Sequence, residues 1–326
     1  MAREKLAATV QSLLNAKNNA FLRGRLSELE KLFIKQKGYN KALETEKKVF
    51  YAKERAAKER KAKYHSQQTE TIMGRVIWSG NLAKARVIET VTWWYQEYNR
   101  LYAQRQQYDH QLTVEANNKD WLIKDDNYRT EPQVATIPCP SKMQFDCREP
   151  LRKIGYGVFR SYKFDRKAAV DYAHRWWNGN NPAFRAFSVD CTNYVSQVLY
   201  AGGMPMNFTG KQNSGWWYLG SGEESDKWSY SWTVAHSLRW YLASGKVHIP
   251  VEAVVSPDRL EPGDVICYDW DGDGVWQHNT VVVGHNAEGQ PLVNAHTVSS
   301  QNRFWNYQDS PAWSENTRYL FWHILI

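Results

Sequence analysis

Ser188-Val189-Asp190-Cys191-Thr192-Asn193-Tyr194-Val195-Ser196-Gln197-Val198-Leu199-Tyr200-Ala201-Gly202-Gly203 is the stretch that decides how the C-terminal half folds. Tyr194, Val195, Val198 and Leu199 share one face at helical spacing, a capping residue precedes them and glycine closes the run. The pattern predicts a helix with Cys191 in its first turn. Unpaired amides and the positive dipole end at that position favour a thiolate and can hold an oxyanion. A lone cysteine on such a helix is ordinarily a small buried core residue, so the reading of Cys191 rests on its neighbours in the chain.

Upstream, Ala168, Ala169, Tyr172, Ala173 and Trp176 recur at helical spacing within Phe164 to Trp177, and Asn178-Gly179-Asn180-Asn181-Pro182 stops that helix. Downstream, Glu261-Pro262-Gly263-Asp264 reads as a turn feeding the strand Val265 to Tyr268. His278 heads a second strand running to Gly284, and Pro291 to Thr297 returns as a third. If Gly284 faces Gln290 across the hairpin, His278 lies opposite His296 and Thr280 opposite Asn294, with all four on one face.

A nucleophile on a helix, a base on a strand and a polar orienter beside the base is the arrangement that nucleophilic acyl transfer needs. The expected site is therefore Cys191 as nucleophile and His278 as general base. His296 is the orienter favoured by that register, and Asn294 is the alternative two residues away. Asp190 is expected to cap the helix and to support the site from behind, not to act as a catalytic acid, since a carboxylate touching the thiolate would oppose its formation. Asn193 and Gln197 are expected to hold backbone or loops.

Taken together, Asp190-Cys191-Thr192-Asn193-Tyr194-Val195-Ser196-Gln197 with Ala201-Gly202-Gly203, Gly263-Asp264, Tyr268-Asp269-Trp270, His278 and Asn294-Ala295-His296-Thr297 resembles the putative amidase domain family. That bacterial family is akin to the papain-like CHAP and NlpC-type wall peptidases. The resemblance spans roughly residues 160 to 326 and implies a papain-like fold and hydrolysis of an amide. Peptide, glycopeptide or other amide substrates, with peptidoglycan foremost, are what it implies. Asn279 and Thr280 follow the histidine where such domains often carry Ser and Thr, a departure not expected to disturb proton transfer.

The N-terminal third has a different texture. Residues 1 to 64 hold 17 Lys/Arg against 7 Asp/Glu, whereas the rest of the chain holds 25 against 27. Helices are predicted from Ser27 through Ile34 and from Tyr39 to Tyr64. Hairpins follow, Ile72 to Trp78 with Arg86 to Trp93, and Gln111 to Glu115 with Trp121 to Lys124 across an Asn117-Asn118-Lys119-Asp120 turn. Helices followed by a meander indicate an α+β accessory domain over residues 1–130 that resembles the cystatin-like, SnoaL-like cone. Pro132, Pro138, Pro140 and Pro150, with Cys139 and Cys147, mark residues 131–155 as a linker, leaving 156–326 for the papain-like domain.

The basic N-terminal helices suit an anionic cell-wall polymer, although their alternation of Lys and Arg with Glu also fits an ordinary solvated face. No nucleic-acid-reading motif is present. No stretch is long and apolar enough to span a membrane and no signal-type block opens the chain, so a soluble protein of the bacterial cytoplasm or envelope is expected. No cofactor or metal is expected. Asp269, Asp271 and Asp273 imitate half a calcium loop but lack its closing glutamate, and a zinc set of Cys191, His278 and His296 fits the helix start poorly. Trp216, Trp217, Tyr218, Trp228, Tyr230 and Trp232 are either a stacking rim for a glycan or peptide, or core. A non-catalytic wall-binding or partner-binding module on the same fold is the rival reading.

Overall fold

A computed structural model of the chain describes residues 2–35, 38–117, 120–128, 131 and 162–326. The linker assigned to residues 131–155, with Cys139 and Cys147, lies outside those residues except for Glu131. Two compact units divide the chain, Met1–Thr130 with Tyr307–Pro311, and Glu131–Asn306 with Ala312–Ile326. Each combines helices with antiparallel sheet, so the protein is α+β.

The first unit begins with α1 (Ala2–Leu22), α2 (Leu26–Glu30) and α3 (Lys41–Glu59), followed by β1 (Lys63–Ser79), β2 (Leu82–Glu97), β3 (Arg100–Asn117) and β4 (Asp120–Tyr128). Leu6, Val10, Leu13 and Leu14 give α1 its buried stripe, a helix that the sequence reading did not assign. The helix expected through Ile34 stops at Glu30, because Ile34 N donates to Ile123 O and Ile123 N to Leu32 O, and these bonds to β4 replace a further helical turn. The helix expected to reach Tyr64 ends at Glu59, where Tyr64 has already joined β1.

Each strand of this meander runs antiparallel to the next. Ser79 pairs with Leu82 and Glu97 with Arg100 across two-residue turns, with positive φ at Gly80, Tyr98 and Asn99 as such hairpins require. Alternate residues of β2 point inward, Ala83, Ala85 and Val87 at the apolar end and Glu89 and Trp93 farther along. Part of this interior is ionic. Lys17 Nζ lies 3.4 Å from Glu46, 3.7 Å from Glu89 and 3.9 Å from Asp126, while His110 bridges Asp126 at 2.8 Å and Glu89 at 3.1 Å. Burial works to lower the His110 imidazole, but the charges and hydrogen bonds of Asp126 and Glu89 raise it to about 9. Some of the basic residues of this region are thus used internally: Lys17 and Arg60 are buried, the latter 3.1 Å from Glu97.

The second unit contains α4 (Arg166–Trp176), α5 (Cys191–Ala201), the short pair β5 (Tyr218–Leu219) and β6 (Lys227–Trp228), α6 (Tyr230–Thr233) and α7 (Ala235–Ala243). It continues with β7 (Val251–Val254), β8 (Val265–Asp269), β9 (His278–His285), β10 (Pro291–Ala295), β11 (Ser299–Phe304) and β12 (Arg318–Ile324). The last six strands form an antiparallel arrangement in the order β11-β10-β9-β8-β12-β7. Val195, Val198 and Leu199 of α5 enter one core with Cys267, Val281, Val283 and Trp322 of the sheet.

Two motif glycines serve this packing. A Cβ on Gly202 would come within 2.4 Å of the Phe164 ring and one on Gly263 within 2.8 Å, and Gly263 also has φ +97°. Asp264, fully buried, accepts from Arg166 Nη1 at 2.8 Å, from Glu261 N at 2.7 Å and from Ile324 N at 3.0 Å, and meets His323 Nδ1 at 2.7 Å. The Gly263-Asp264 pair is therefore a structural clamp joining α4, β8 and β12.

Candidate active site

Cys191 is the first residue of α5 and is 1 % exposed. Its sulfur lies 3.8 Å from the Thr192 hydroxyl. Burial pushes the thiol up from its ordinary value and the nearby Asp190 carboxylate adds to that, while the polar groups of the Asn279 main chain, Thr192 and Thr297 work against it. The helix start alone does not produce a resting thiolate.

The strand pairing decides which groups face this sulfur. Cys267 pairs with Asn279 and Tyr268 with His278. Cys267 packs into the core shared with α5 and Asn279 Nδ2 donates to Thr192 Oγ1 at 3.0 Å, so this pair faces the helix. His278 and Tyr268, one residue out of phase, face the other way. The His278 ring stacks on Trp270 at 5.7 Å with a 26° interplanar angle and lies 5.5 Å from Tyr268. Among the described residues the hydrogen-bond partner of the Cys191 sulfur is Thr192, and His278 projects from the opposite face of β9. Burial, with a smaller contribution from Arg303 set against Glu131, lowers His278 to about 4, which keeps the imidazole neutral.

The expected register is corrected. Gly284 pairs with Leu292, not Gln290, and an irregularity after Leu292 shifts the ladder so that Val282 pairs with Val293 and Val281 with Asn294. A one-residue slip exchanges the faces of a strand. Asn294 accordingly joins the helix side, donating to Ala173 O at 3.3 Å and accepting from Asn302 N at 2.9 Å. His296 lies beyond the end of β10, with Nδ1 2.8 Å from Asp190 Oδ2, Nε2 2.6 Å from Trp176 O and its ring stacked on Tyr194 at 4.1 Å. The four residues expected on one face are thus divided, with His278 and Thr280 on one side and Asn294 and His296 on the other.

Asp190 stands at the N-cap of α5, its carbonyl accepting from Tyr194 N at 2.9 Å, but its side chain makes no capping bond. Its Oδ1 accepts from Phe187 N and Asn193 Nδ2, both at 2.9 Å, its Oδ2 meets His296, and its own N–H donates to Thr297 Oγ1 at 3.1 Å. Asp190 thereby fixes the segment carrying His296 and Thr297, and Thr297 holds φ +82° there.

Asn193 holds the preceding loop as expected, donating to Arg185 O at 3.0 Å, and the polar side chains of α5 also anchor aromatic rings. Asn193 Oδ1 accepts from Trp232 Nε1, Ser196 Oγ from Trp216 Nε1, both at 2.9 Å, and Gln197 Oε1 from Tyr172 OH at 2.6 Å. Trp216, Trp217, Tyr218 and Trp232 are buried, which makes them core, and only Trp228 and Tyr230 of the suggested rim are half-buried. Asp269 spends both oxygens on Gly272 N and Gly274 N at 2.8 Å. Among the described residues no three His, Cys, Asp or Glu side chains converge as a metal site.

Sequence reasoning singled out Asp190 as a supporting residue but missed its partner Thr297 and the tie that Asn279 makes to Thr192. The available signal was adjacency: Asn279 follows His278 and Thr297 follows His296.

The model of the putative amidase domain family matches residues 163–322. Over 166 residues the chain is 47% identical to the uncharacterized protein YhbB of Bacillus subtilis (strain 168), an alignment covering 51% of this chain and 52% of that protein. The chain thus spans about half the length of the curated relative it matches. No solved structure matches.

Proposed function

We propose, from the premise that residues 163–322 belong to the putative amidase domain family, that this domain is a cysteine-dependent amide hydrolase. Cys191 is the nucleophile and His278 the general base, on a papain-like arrangement of helix and antiparallel sheet. One observation carries the reading: the Thr192 hydroxyl, 3.8 Å from the sulfur at the first turn of α5, accepts from Asn279 Nδ2 at 3.0 Å, and Asn279 is the residue next to His278. Helix start and histidine strand therefore meet beside the sulfur.

On this reading the described state is a resting one. Thiol and imidazole are both held neutral by burial, and His278 must leave the Trp270 stack and come round to the sulfur side of β9 when substrate binds. It then takes the thiol proton as sulfur bonds to the amide carbonyl carbon, and returns it to the departing amine as the C–N bond breaks. Water attacks the thioester, releasing the acid and restoring the thiol. The Cys191 main-chain N–H and the α5 dipole supply oxyanion stabilisation. His296, engaged by Asp190 and Trp176, positions this corner, and Asn294 secures β10 to α4.

Stem-peptide or muramoyl-amide bonds of peptidoglycan are the substrate class suggested by kinship with wall peptidases, an argument by fold analogy. The basic residues left exposed on the first unit would then hold an anionic wall polymer. The separation of Cys191 from His278 and the raised thiol favour a second reading, a non-catalytic wall-binding module. A zymogram on purified cell wall distinguishes them: clearing by the native chain that is absent with Cys191→Ala supports the hydrolase, and binding without clearing supports the module.

A further inference from the structure

Thr192, the residue after the nucleophile, is fully buried. Its hydroxyl oxygen accepts from Asn279 Nδ2 at 3.0 Å and stands 3.8 Å from the Cys191 sulfur. An amide nitrogen can only donate, so Nδ2 fills a lone pair of that oxygen and leaves the Thr192 proton to be placed elsewhere. Among the described residues the sulfur is the further partner of this hydroxyl, and the proton therefore points at it. Asn279 is held by its strand, paired with Cys267 of β8, and among the described residues its side chain bonds through Nδ2 alone.

We infer that Thr192 is a positioning residue for the nucleophile: Asn279 orients its hydroxyl as a hydrogen-bond donor to the Cys191 sulfur, and that donor stabilises the thiolate formed when His278 takes the thiol proton. A hydrogen bond to a charged acceptor is stronger than one to a neutral thiol, so this one tightens as the charge develops. Burial adds to its weight, because a sulfur 1 % exposed has little water to solvate its anion. Asp190 is the charged group acting on the sulfur and is itself engaged by His296, Cys267 on β8 is coupled to it, and His278 stands on the far face of β9. Turning the Asn279 amide round would reverse the relay: Oδ1 would take the Thr192 proton, and the S–H would donate to Thr192, holding the thiol instead. The inference rests on the hydrolase reading for the use of the thiolate, whereas the acidity of the sulfur is measurable without turnover.

Timed alkylation of the full chain by iodoacetamide, followed across pH with peptide mapping, gives the inflection at which Cys191 ionises. Access to the sulfur changes the plateau rate and not the inflection. Thr192→Val, close in shape but without the hydroxyl, is expected to move the inflection upward by about one pH unit, the size of a hydrogen bond to a charged group. Thr192→Ser is expected to keep the native inflection, and Asn279→Ala, which frees the hydroxyl to turn, to give a smaller upward shift. Thr192→Val leaves Asn279 Nδ2 without its acceptor. If that variant does not fold, Thr192→Val/Asn279→Leu removes both polar groups and is expected to show the same upward shift. An inflection that stays in place or falls in the folded valine variant would overturn the relay. An upward shift in a chain that hydrolyses no amide would refute the hydrolase and leave the relay standing, whereas intact turnover with an unmoved inflection would refute the relay alone.

Discussion

Asn279 Nδ2 donates to Thr192 Oγ1 at 3.0 Å, tying the residue after His278 to the residue after Cys191, with both partners fully buried. Asn279→Ala removes this bond and leaves the Thr192 hydroxyl without its donor. The second unit is expected to lose about 1–3 kcal/mol, the range for a buried unmade hydrogen bond. Denaturant midpoints check this, and an unchanged midpoint would show that the tie contributes nothing.

Two buried histidines set opposite pH limits. His278 is lowered to about 4, below its unfolded value of roughly 6.5, so its contribution is present above that value and is lost as pH falls toward 4. His110 is raised to about 9, so its contribution is present below roughly 6.5 and is lost as pH rises through 9. Each amounts to roughly 3 kcal/mol at most. Urea titrations across pH, followed with NMR probes in each unit, are expected to show the second unit weakening on the acid side and the first on the alkaline side. His278→Gln should flatten the acid limb alone and His110→Gln the alkaline limb alone.

Both described thiols are held protonated in the resting chain. Burial pushes Cys191 up against the polar groups of the Asn279 main chain, Thr192 and Thr297, and pushes Cys267 up to about 12. At pH 7 iodoacetamide is expected to label Cys191 more slowly than an exposed thiol of ordinary acidity and Cys267 more slowly still. Peptide mapping after timed quenches reads both rates. Rapid labelling of Cys191 in the resting chain would mean that a thiolate is already present.

Asp190 separates charge from hydrogen bonding. Asp190→Asn can keep the acceptor for Phe187 N and Asn193 while losing the carboxylate beside His296, whereas Asp190→Ala loses both. The expected order of stability is native, Asn, Ala, with the alanine variant down by about 1–3 kcal/mol, the range for buried hydrogen bonds left unmade. Thermal or urea unfolding checks the order, and equal stability of the two variants would remove the carboxylate from the account.

Much of the second unit was legible from local pattern. The helix from Cys191, the turn at Gly263-Asp264 and the strands at Val265, His278 and Pro291 stand where periodicity and turn residues put them. Facing was not legible. An irregularity after Leu292 reverses strand parity, and no residue type in Pro291-Leu292-Val293-Asn294 announces it. The Trp and Tyr residues were ambiguous between rim and core because the distinction lay in partners distant in sequence, such as Ser196 for Trp216. In the first unit the hairpins followed from alternation and turns, but the ionic interior around Lys17 depends on contacts among α1, α3, β2 and β4 that no local window contains.

The claim on which the rest depends is that Cys191 forms a covalent acyl intermediate. The full chain is mixed with a cell-wall peptide or N-acetyl-dipeptide, quenched in acid within the first turnover, digested and mapped by mass spectrometry. The prediction is an acyl group on Cys191 in the native chain, with turnover lost in Cys191→Ala and reduced about 10²- to 10⁴-fold in His278→Ala. Amide hydrolysis that proceeds unchanged in Cys191→Ala, with no acyl group on that sulfur, would contradict it.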